Sequence, residues 1–135
     1  MNYFSGDNQL LIRSMMETDI EKFVEAFAQQ QWHKPYELFH SYYIEQKNKT
    51  RTVVVAEVNH QPAGYVTLLD KAVEGPFSGK NIPEIVDFNV LMKYQNRGIG
   101  SKLMDVTEGL AQAQSNFVSL AVGLHSGYGS AQRMY

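Results

Sequence analysis

The sequence predicts a single mixed α/β (α+β) domain, in which a mostly antiparallel sheet with one parallel central strand pair is flanked by helices. The chain has 135 residues, 44% hydrophobic and 19% charged, which is typical of one globular domain spanning residues 1–135. β-Branched runs alternate with stretches whose apolar residues recur every three or four positions, as in amphipathic helices. After residue 84 a strand, a glycine-containing turn, a helix and another strand follow one another. Because a helix joins these two strands, we expect them to be parallel.

Composition excludes several classes of function. The formal net charge of −2 provides no basic field for nucleic acid or for an anionic membrane. The absence of cysteine excludes disulfides, a thiolate nucleophile and a cysteine-based metal site, and the four histidines lack ligand spacing. The N-terminus lacks the pattern of a signal peptide, and no apolar run reaches the ~20 residues of a membrane span. We therefore expect a cytoplasmic protein that uses no metal and binds neither nucleic acid nor membrane.

The first fifty residues predict one strand and two helices. Residues 9–14 form an apolar run typical of a strand. Thr18 and Glu21 fit a capping box, with Thr18 as the N-cap of a helix of about a dozen residues. Pro35 suits the first turn of a second helix, which we expect to end near Lys47.

The middle of the chain predicts a hairpin, a long loop and a central strand. β-Branched runs at residues 51–58 and 63–69 flank a polar turn, as in an antiparallel hairpin. Residues 70–83 contain glycines and prolines, and a loop of this length is usually functional or disordered. The apolar run at residues 85–91 is typical of a buried strand.

The C-terminal third predicts a helix, a strand and the start of another helix. Apolar residues recur at helical spacing from Ile99 onward, so we expect a helix to about Gln114. Residues 117–124 read as a strand parallel to the central one. Residues 130–135 are predicted to begin a last helix.

The turn between the central strand and the next helix is the one stretch whose spacing implies chemistry. It contains Gln95, Gly98 and Gly100. Without a Cβ atom, the two glycines permit positive φ and close approach of a ligand. Successive backbone N–H groups and the helix dipole then form an anion site suited to a pyrophosphate. The spacing is not a dinucleotide fingerprint, because Leu103 occupies the position of the third glycine, nor is it a Walker A loop.

This Q-x-x-G-x-G pattern, between a strand and a helix, resembles the acetyl-CoA-binding motif of the GCN5-related N-acetyltransferases, the GNAT superfamily. The predicted order of elements is similar to the GNAT fold over nearly the whole chain. The resemblance implies an acyl-CoA N-acyltransferase fold and transfer of an acetyl group from acetyl-CoA to a primary amine by direct attack. In that family further strands follow the last helix, so we expect the C-terminal strands to be missing here.

The resemblance also implies which residues hold acetyl-CoA. Backbone N–H groups of the turn would bind the pyrophosphate. Backbone groups at the end of the central strand would bind the pantetheine arm and the thioester oxygen. The implied cofactor-binding residues are Phe88, Val90, Gln95, Asn96, Arg97, Gly98, Ile99, Gly100, Ser101 and Lys102.

Two catalytic residues are implied as well. A lysine-type amine has a pKa near 10.4 and needs a base at neutral pH. Glu84, eleven residues before Gln95, resembles in placement the glutamate base of the histone-acetyltransferase branch. Glu84 and Val90 would share a face of a regular strand, although a bulge would break that parity. Asp87 and a water chain are the alternatives as base. Tyr135 ends an A-x-x-x-Y segment that resembles the family motif whose tyrosine protonates the coenzyme A thiolate.

The acceptor amine stays open between a small amine, an antibiotic, a peptide N-terminus and a protein lysine. Candidate walls for it are Trp32, Tyr36, Phe77 and Lys80. A non-catalytic acyl-CoA-binding or interaction module is the alternative function. The apolar strand at residues 117–122 would also be an uncovered edge. This predicts a homodimer through the strand, exchange of elements between chains, or aggregation, unless residues 1–7 cover the edge.

Overall fold

The computed structural model describes residues 1–7, 9–70, 83–114, 117–121 and 131–134, with side chains as far as residue 114. Within these ranges, seven strands form one sheet whose spatial order is the chain order. The elements are β1 (Asn2–Ser5), β2 (Leu10–Ser14), α1 (Asp19–Gln29), α2 (Tyr36–Lys47), β3 (Arg51–Val58), β4 (Gln61–Leu69), β5 (Glu84–Val90), α3 (Ile99–Gln112), β6 (Phe117–Ala121) and β7 (Ala131–Met134). A 3₁₀ turn, Met92–Tyr94, lies between β5 and α3.

Neighbouring strands of the sheet are antiparallel except for β5 and β6, which pair parallel. The predicted hairpin is β3 and β4, which pair along nearly their whole length. Asn59 and His60 connect them with φ of 52° and 68°. Positive φ at both central residues is the geometry of a two-residue turn that matches the twist of the strands.

The core has two layers because alternate residues of each strand point to opposite faces. Val53 and Val55 pack with the aromatic side chains of α1 and α2 on one face. Val54 packs with α3 on the other face, together with Leu103. The middle strands are therefore buried on both sides, which explains their continuous apolar sequence.

The start of α1 differs from the predicted capping box. Thr18 has helical dihedral angles and its side chain caps nothing, so the prediction is wrong. Asp19 Oδ2 instead accepts the Met16 N–H at 2.8 Å. Arg13 donates to both Asp19 oxygens at 2.7 and 2.9 Å and also to Glu57 at 2.9 Å. A buried ion pair thus fixes α1 to β2 and β3, a contact that local sequence spacing does not reveal.

The two edges of the sheet also differ from prediction. The N-terminal residues form β1 and pair with β2, at the edge opposite β6. Residues 131–134 are a strand, so the predicted last helix is wrong. Because β7 pairs with the outer side of β6, β6 is not an uncovered edge, and the argument for a homodimer through it fails.

Candidate active site

The turn before α3 leads into a helix N-terminus that no side chain caps. Gly98 precedes the helix with φ of 79°, and no side chain caps it. Lys102 N–H makes the first intrahelical bond, to Gly98 O at 3.1 Å. The N–H groups of the preceding residues, Ile99–Ser101, therefore have no partner within the helix. The first turn of α3 carries no acidic residue, so its positive end suits an anion.

The two glycines of the turn meet different requirements. At Gly98 a Cβ atom would contact nothing within 4 Å, so the glycine is needed for its positive φ. At Gly100 a Cβ atom would lie 3.1 Å from Phe88 Cζ and 3.6 Å from Val90 Cγ2. Gly100 thus allows the first turn of α3 to approach β5, a packing role that the motif alone does not indicate.

The last residues of β5 have an edge that faces away from β4. In the described residues, β6 pairs with β5 only from Glu84 to Val86. Leu91 N–H donates to Ala63 O at 2.8 Å, so the alternation of an antiparallel strand directs the Val90 N–H and C=O away from β4. The Gln95 side chain donates to Val90 O at 2.9 Å. We call residues Phe88–Val90 the open edge of β5.

A cavity of about 380 Å³ lies against this open edge. Its described lining residues are Gln30, Trp32, Phe88, Asn89, Val90, Met92 and Gln95. The cavity thus unites Phe88, Val90 and Gln95, which were predicted to bind acetyl-CoA, with Trp32, which was predicted to border the acceptor. Tyr36 is exposed and is not among these lining residues, whereas Phe77 and Lys80 lie outside the described residues.

A β-bulge interrupts β5 at Asp87. Val86 pairs with Thr67 and Phe88 pairs with Val66, so Asp87 is an extra residue, and its φ is 56°. The bulge breaks the parity of the strand. Ile85 belongs to the core under α3, so Glu84 points to the opposite face, the one covered by α1 and α2. Val90 packs on the α3 side, so Glu84 and Val90 lie on opposite faces, as expected for a strand whose parity is broken by a bulge.

The Asp87 carboxylate is the centre of a polar network between β5 and α2. It accepts hydrogen bonds from Tyr42 Oη at 2.6 Å, Tyr65 Oη at 2.8 Å and Asn89 Nδ2 at 2.9 Å. Lys34 Nζ lies 3.8 Å from Asp87 Oδ1. Burial and the negative charge of Asp87 raise the pKa of both tyrosine hydroxyls above their usual value, so they remain neutral donors.

Asp87 was predicted only as a competing base, and none of its contacts with these four partners was predicted. These partners come from β4, β5, α2 and the segment before α2, so no spacing along the chain brings them together. A usable signal was present nonetheless. Asp87 and Asn89 are polar residues in an otherwise apolar central strand, and buried polar groups need hydrogen-bond partners.

The other described residues that were predicted for the site are not among those that line the cavity. Glu84 is 3% exposed and is not among the described residues that line the cavity. Asn96 and Arg97 are exposed in the turn, and the Arg97 guanidinium lies 5.7 Å from the Tyr94 ring. Lys102 Nζ lies 4.5 Å from the Phe4 ring of β1. Tyr135 lies outside the described residues.

Two kinds of feature are absent from the described residues. No group of three or more acidic or histidine side chains is arranged to hold a metal ion. None of the helices in the same ranges has the length and apolar character needed to cross a membrane.

Comparison with solved structures identifies the fold. An N-acetyltransferase from Staphylococcus aureus Mu50 matches with a TM-score of 0.66 and 14% identity, covering 82% of this chain and 72% of that one. A ribosomal-protein-alanine N-acetyltransferase from Brucella melitensis matches with a TM-score of 0.63 and 20% identity, with the same coverages. A GNAT family acetyltransferase from Staphylococcus aureus USA300_TCH1516 matches with a TM-score of 0.63 and 14% identity, covering 93% of this chain and 96% of that one. At these identities the likeness shows the fold alone.

Comparison at the level of sequence identifies the family. No curated protein matches the chain significantly. The family model described as acetyltransferase (GNAT) family matches residues 12–135, which is nearly the whole chain. That range includes both glycines of the turn, the bulge at Asp87 and the residues that line the cavity. The chain therefore belongs to the GNAT family of acetyltransferases.

Proposed function

We propose that this chain transfers an acetyl group from acetyl-CoA to a primary amine by direct attack. The observation that carries the proposal is that the uncapped N-terminus of α3 packs, at Gly100, against Phe88 and Val90, which belong to the outward-facing strand edge and line the cavity. The first feature suits a pyrophosphate and the second suits an amide-containing arm. Membership of an acetyltransferase family supports the same reaction class.

The residues present fit coenzyme A. The N–H groups of Ile99–Ser101 would bind the pyrophosphate, and Arg97 and Lys102 carry nearby positive charge. Hydrogen bonds to a charged group contribute on the order of 1.5–3 kcal/mol each, so several outweigh the ~0.3–1 kcal/mol of the helix dipole. The backbone of Val90 would hold the pantetheine arm. Bound acetyl-CoA supplies the activated acetyl group.

The chain must also remove a proton from the amine. Glu84 and Asp87 are the candidate bases, and both lie on the face covered by α1 and α2. Asp87 is closer to the cavity wall, because it is hydrogen-bonded to Asn89, which lines the cavity. Tyr135 remains the proposed donor of a proton to the departing thiolate.

The test is amine-dependent release of the coenzyme A thiol. The chain contains no cysteine, so a thiol reagent detects the product without background from the protein. The panel would contain small amines, aminoglycosides, amino acids and peptides with a free N-terminus. We expect release with at least one amine, with mass spectrometry showing one added acetyl group on it. Calorimetric binding of acetyl-CoA without transfer to any amine would instead indicate the alternative, a non-catalytic acyl-CoA-binding module. Absence of binding would refute both.

A further inference from the structure

Lys34 is a buried cation whose hydrogen bonds are not satisfied by the described residues. Its side chain is 10% exposed, and its Nζ lies 4.6 Å from the Trp32 ring centroid and 5.5 Å from that of Phe27. The nearest carboxylate oxygen, Asp87 Oδ1, is 3.8 Å away, which is too long for a hydrogen bond. An ammonium group has three donors, and its burial is costly unless they are used.

The Lys34–Asp87 pair lies directly behind the cavity wall. Trp32, which lies against the Lys34 ammonium, lines the cavity. Asn89, which donates to the same Asp87 oxygen that faces Lys34, lines it too. The side chains of Lys34 and Asp87 are 10% and 20% exposed, respectively. One positive and one negative group thus adjoin the same wall.

Arg51, a second cation on this face, already has partners. Arg51 forms an ion pair with Glu45 at 3.3 Å and donates to Thr67 Oγ1 at 2.7 Å. Two neutral tyrosine hydroxyls donate to the far oxygen of Asp87 and hold it in place. Among the described residues of this network, Lys34 is therefore the cation with hydrogen-bonding capacity left for a ligand.

We propose that the Lys34–Asp87 pair recognises the acceptor as a small α-amino acid. The acceptor carboxylate accepts hydrogen bonds from Lys34, and its amine lies beside Asp87. A zwitterion has one charge of each sign close together, as this pair does. A simple monoamine would bring only a positive charge and would leave Lys34 facing a like charge. The exposed side chains of Trp32 and Met92 would contact an apolar side chain of the amino acid.

This inference rests on the proposed function, but binding tests it separately from catalysis. Calorimetry and thermal shift would compare α-amino acids with their carboxamides and with the corresponding decarboxylated amines, each in the presence of coenzyme A. We expect at least one amino acid to bind and its carboxamide to bind at least about tenfold more weakly, as expected for loss of a charge-assisted hydrogen bond. The variant Lys34→Met should bind acid and amide equally weakly. Lys47→Met, which removes an exposed lysine of α2 that also lies near an aromatic ring, should bind like the parent.

Several results would overturn the inference. They are equal binding of acid and amide by the parent, no binding of any amino acid, and unchanged discrimination in a folded Lys34→Met protein. If that variant does not fold, the acid–amide comparison on the parent still decides. Acetyl transfer to amines without preference for a carboxylate would refute the amino-acid acceptor and leave the proposed function standing. Binding of an amino acid without acetyl transfer would refute the proposed function and leave the Lys34–Asp87 pair as an amino-acid site.

Discussion

At the scale of single residues, Asp87 both forms the bulge in β5 and accepts the hydrogen bonds that hold it there. A non-glycine residue with positive φ is strained by about 1–3 kcal/mol and persists only where its surroundings hold it. Here the hydrogen bonds from Tyr42, Tyr65 and Asn89 hold it. The same bulge turns Glu84 away from the face of Val90, so one inserted residue rearranges the candidate catalytic groups.

The first prediction identifies the base. If Glu84 takes the proton of the amine, Glu84→Gln should lower turnover at neutral pH by ~10²–10⁴, because no carboxylate then accepts the proton. Raising the pH should recover much of this rate, since more of the amine is then unprotonated. Asp87→Asn is the matched variant on the same face. A residue whose replacement costs less than about threefold is not the base.

The second prediction concerns alkaline pH. The folded-state pKa values of Tyr42 and Tyr65 are raised by burial and by the charge of Asp87. Their protons therefore stabilise the folded state below the unfolded tyrosine pKa of about 10, and this stabilisation is lost as pH rises above it. Urea unfolding at several pH values should show a steep fall in the free energy of unfolding above pH ~10. Tyr65→Phe should make this fall shallower, whereas Tyr43→Phe should not; equal slopes would argue against the network.

At the scale of elements, the starts of α1 and α3 are opposites. α1 begins at a buried aspartate that is paired with Arg13. Burial alone would lower the pKa of Arg13, but the hydrogen bonds and charges of Asp19 and Glu57 outweigh it and raise that pKa. α3 follows a glycine. No side chain caps its first N–H groups, and its first turn carries no acidic residue. The first helix end is structural, whereas the polarity of the second suits an anion.

The third prediction tests the buried ion pair. Asp19→Asn keeps the size of the side chain but leaves Arg13 with only Glu57 as a charged partner. Breaking a buried pair costs about 3–5 kcal/mol of unfolding free energy, measurable by urea denaturation. Asp105→Asn, which removes an exposed carboxylate of α3, should change it by no more than ~0.5 kcal/mol. Similar effects of the two substitutions would contradict a stabilising role for the pair.

The fourth prediction tests the start of α3. Gly98→Asn should fold, because asparagine tolerates positive φ, but its side chain would project where the pyrophosphate is proposed to lie. Calorimetry should show most of the affinity for acetyl-CoA lost. Gly109→Asn is a matched control, since a Cβ atom there also meets nothing within 4 Å but lies far along the helix. Gly100→Val is a poorer test, because it would press on Phe88. Undiminished binding by Gly98→Asn would exclude this site.

At the scale of the whole molecule, the described part of the sheet is paired throughout its centre, and β5 loses a pairing partner beyond its bulge. β3 and β4 are covered on both faces, whereas β5 beyond the bulge presents an edge that β4 does not use. The cavity, the turn before α3 and the Lys34–Asp87 pair all adjoin this edge. The site therefore lies where the regular pairing of the sheet stops.

The fifth prediction follows from that arrangement. Hydrogen exchange should be slowest in β3 and β4, where the backbone is paired and buried. Addition of acetyl-CoA should slow exchange at the amides of Val90 and Ile99–Ser101, because their N–H groups would become donors to the ligand. Exchange in β3 should change little. Protection spread evenly over the sheet, without a local effect at these amides, would contradict binding at the open edge.

The sequence by itself determined the features that depend on local spacing. Helical periodicity placed α1, α2 and α3, a polar turn between two β-branched runs placed the hairpin, and Gly98 and Gly100 marked the turn at which α3 begins. The tertiary structure alone decided what depends on partners distant in the chain. β1 and β7 are four residues each, too short for a periodic signal, and they exist because β2 and β6 offer unpaired backbone groups. The bulge at Asp87 and its contact with Lys34 are likewise products of packing, because the cost of strain and of buried charge is offset only when the whole network is assembled.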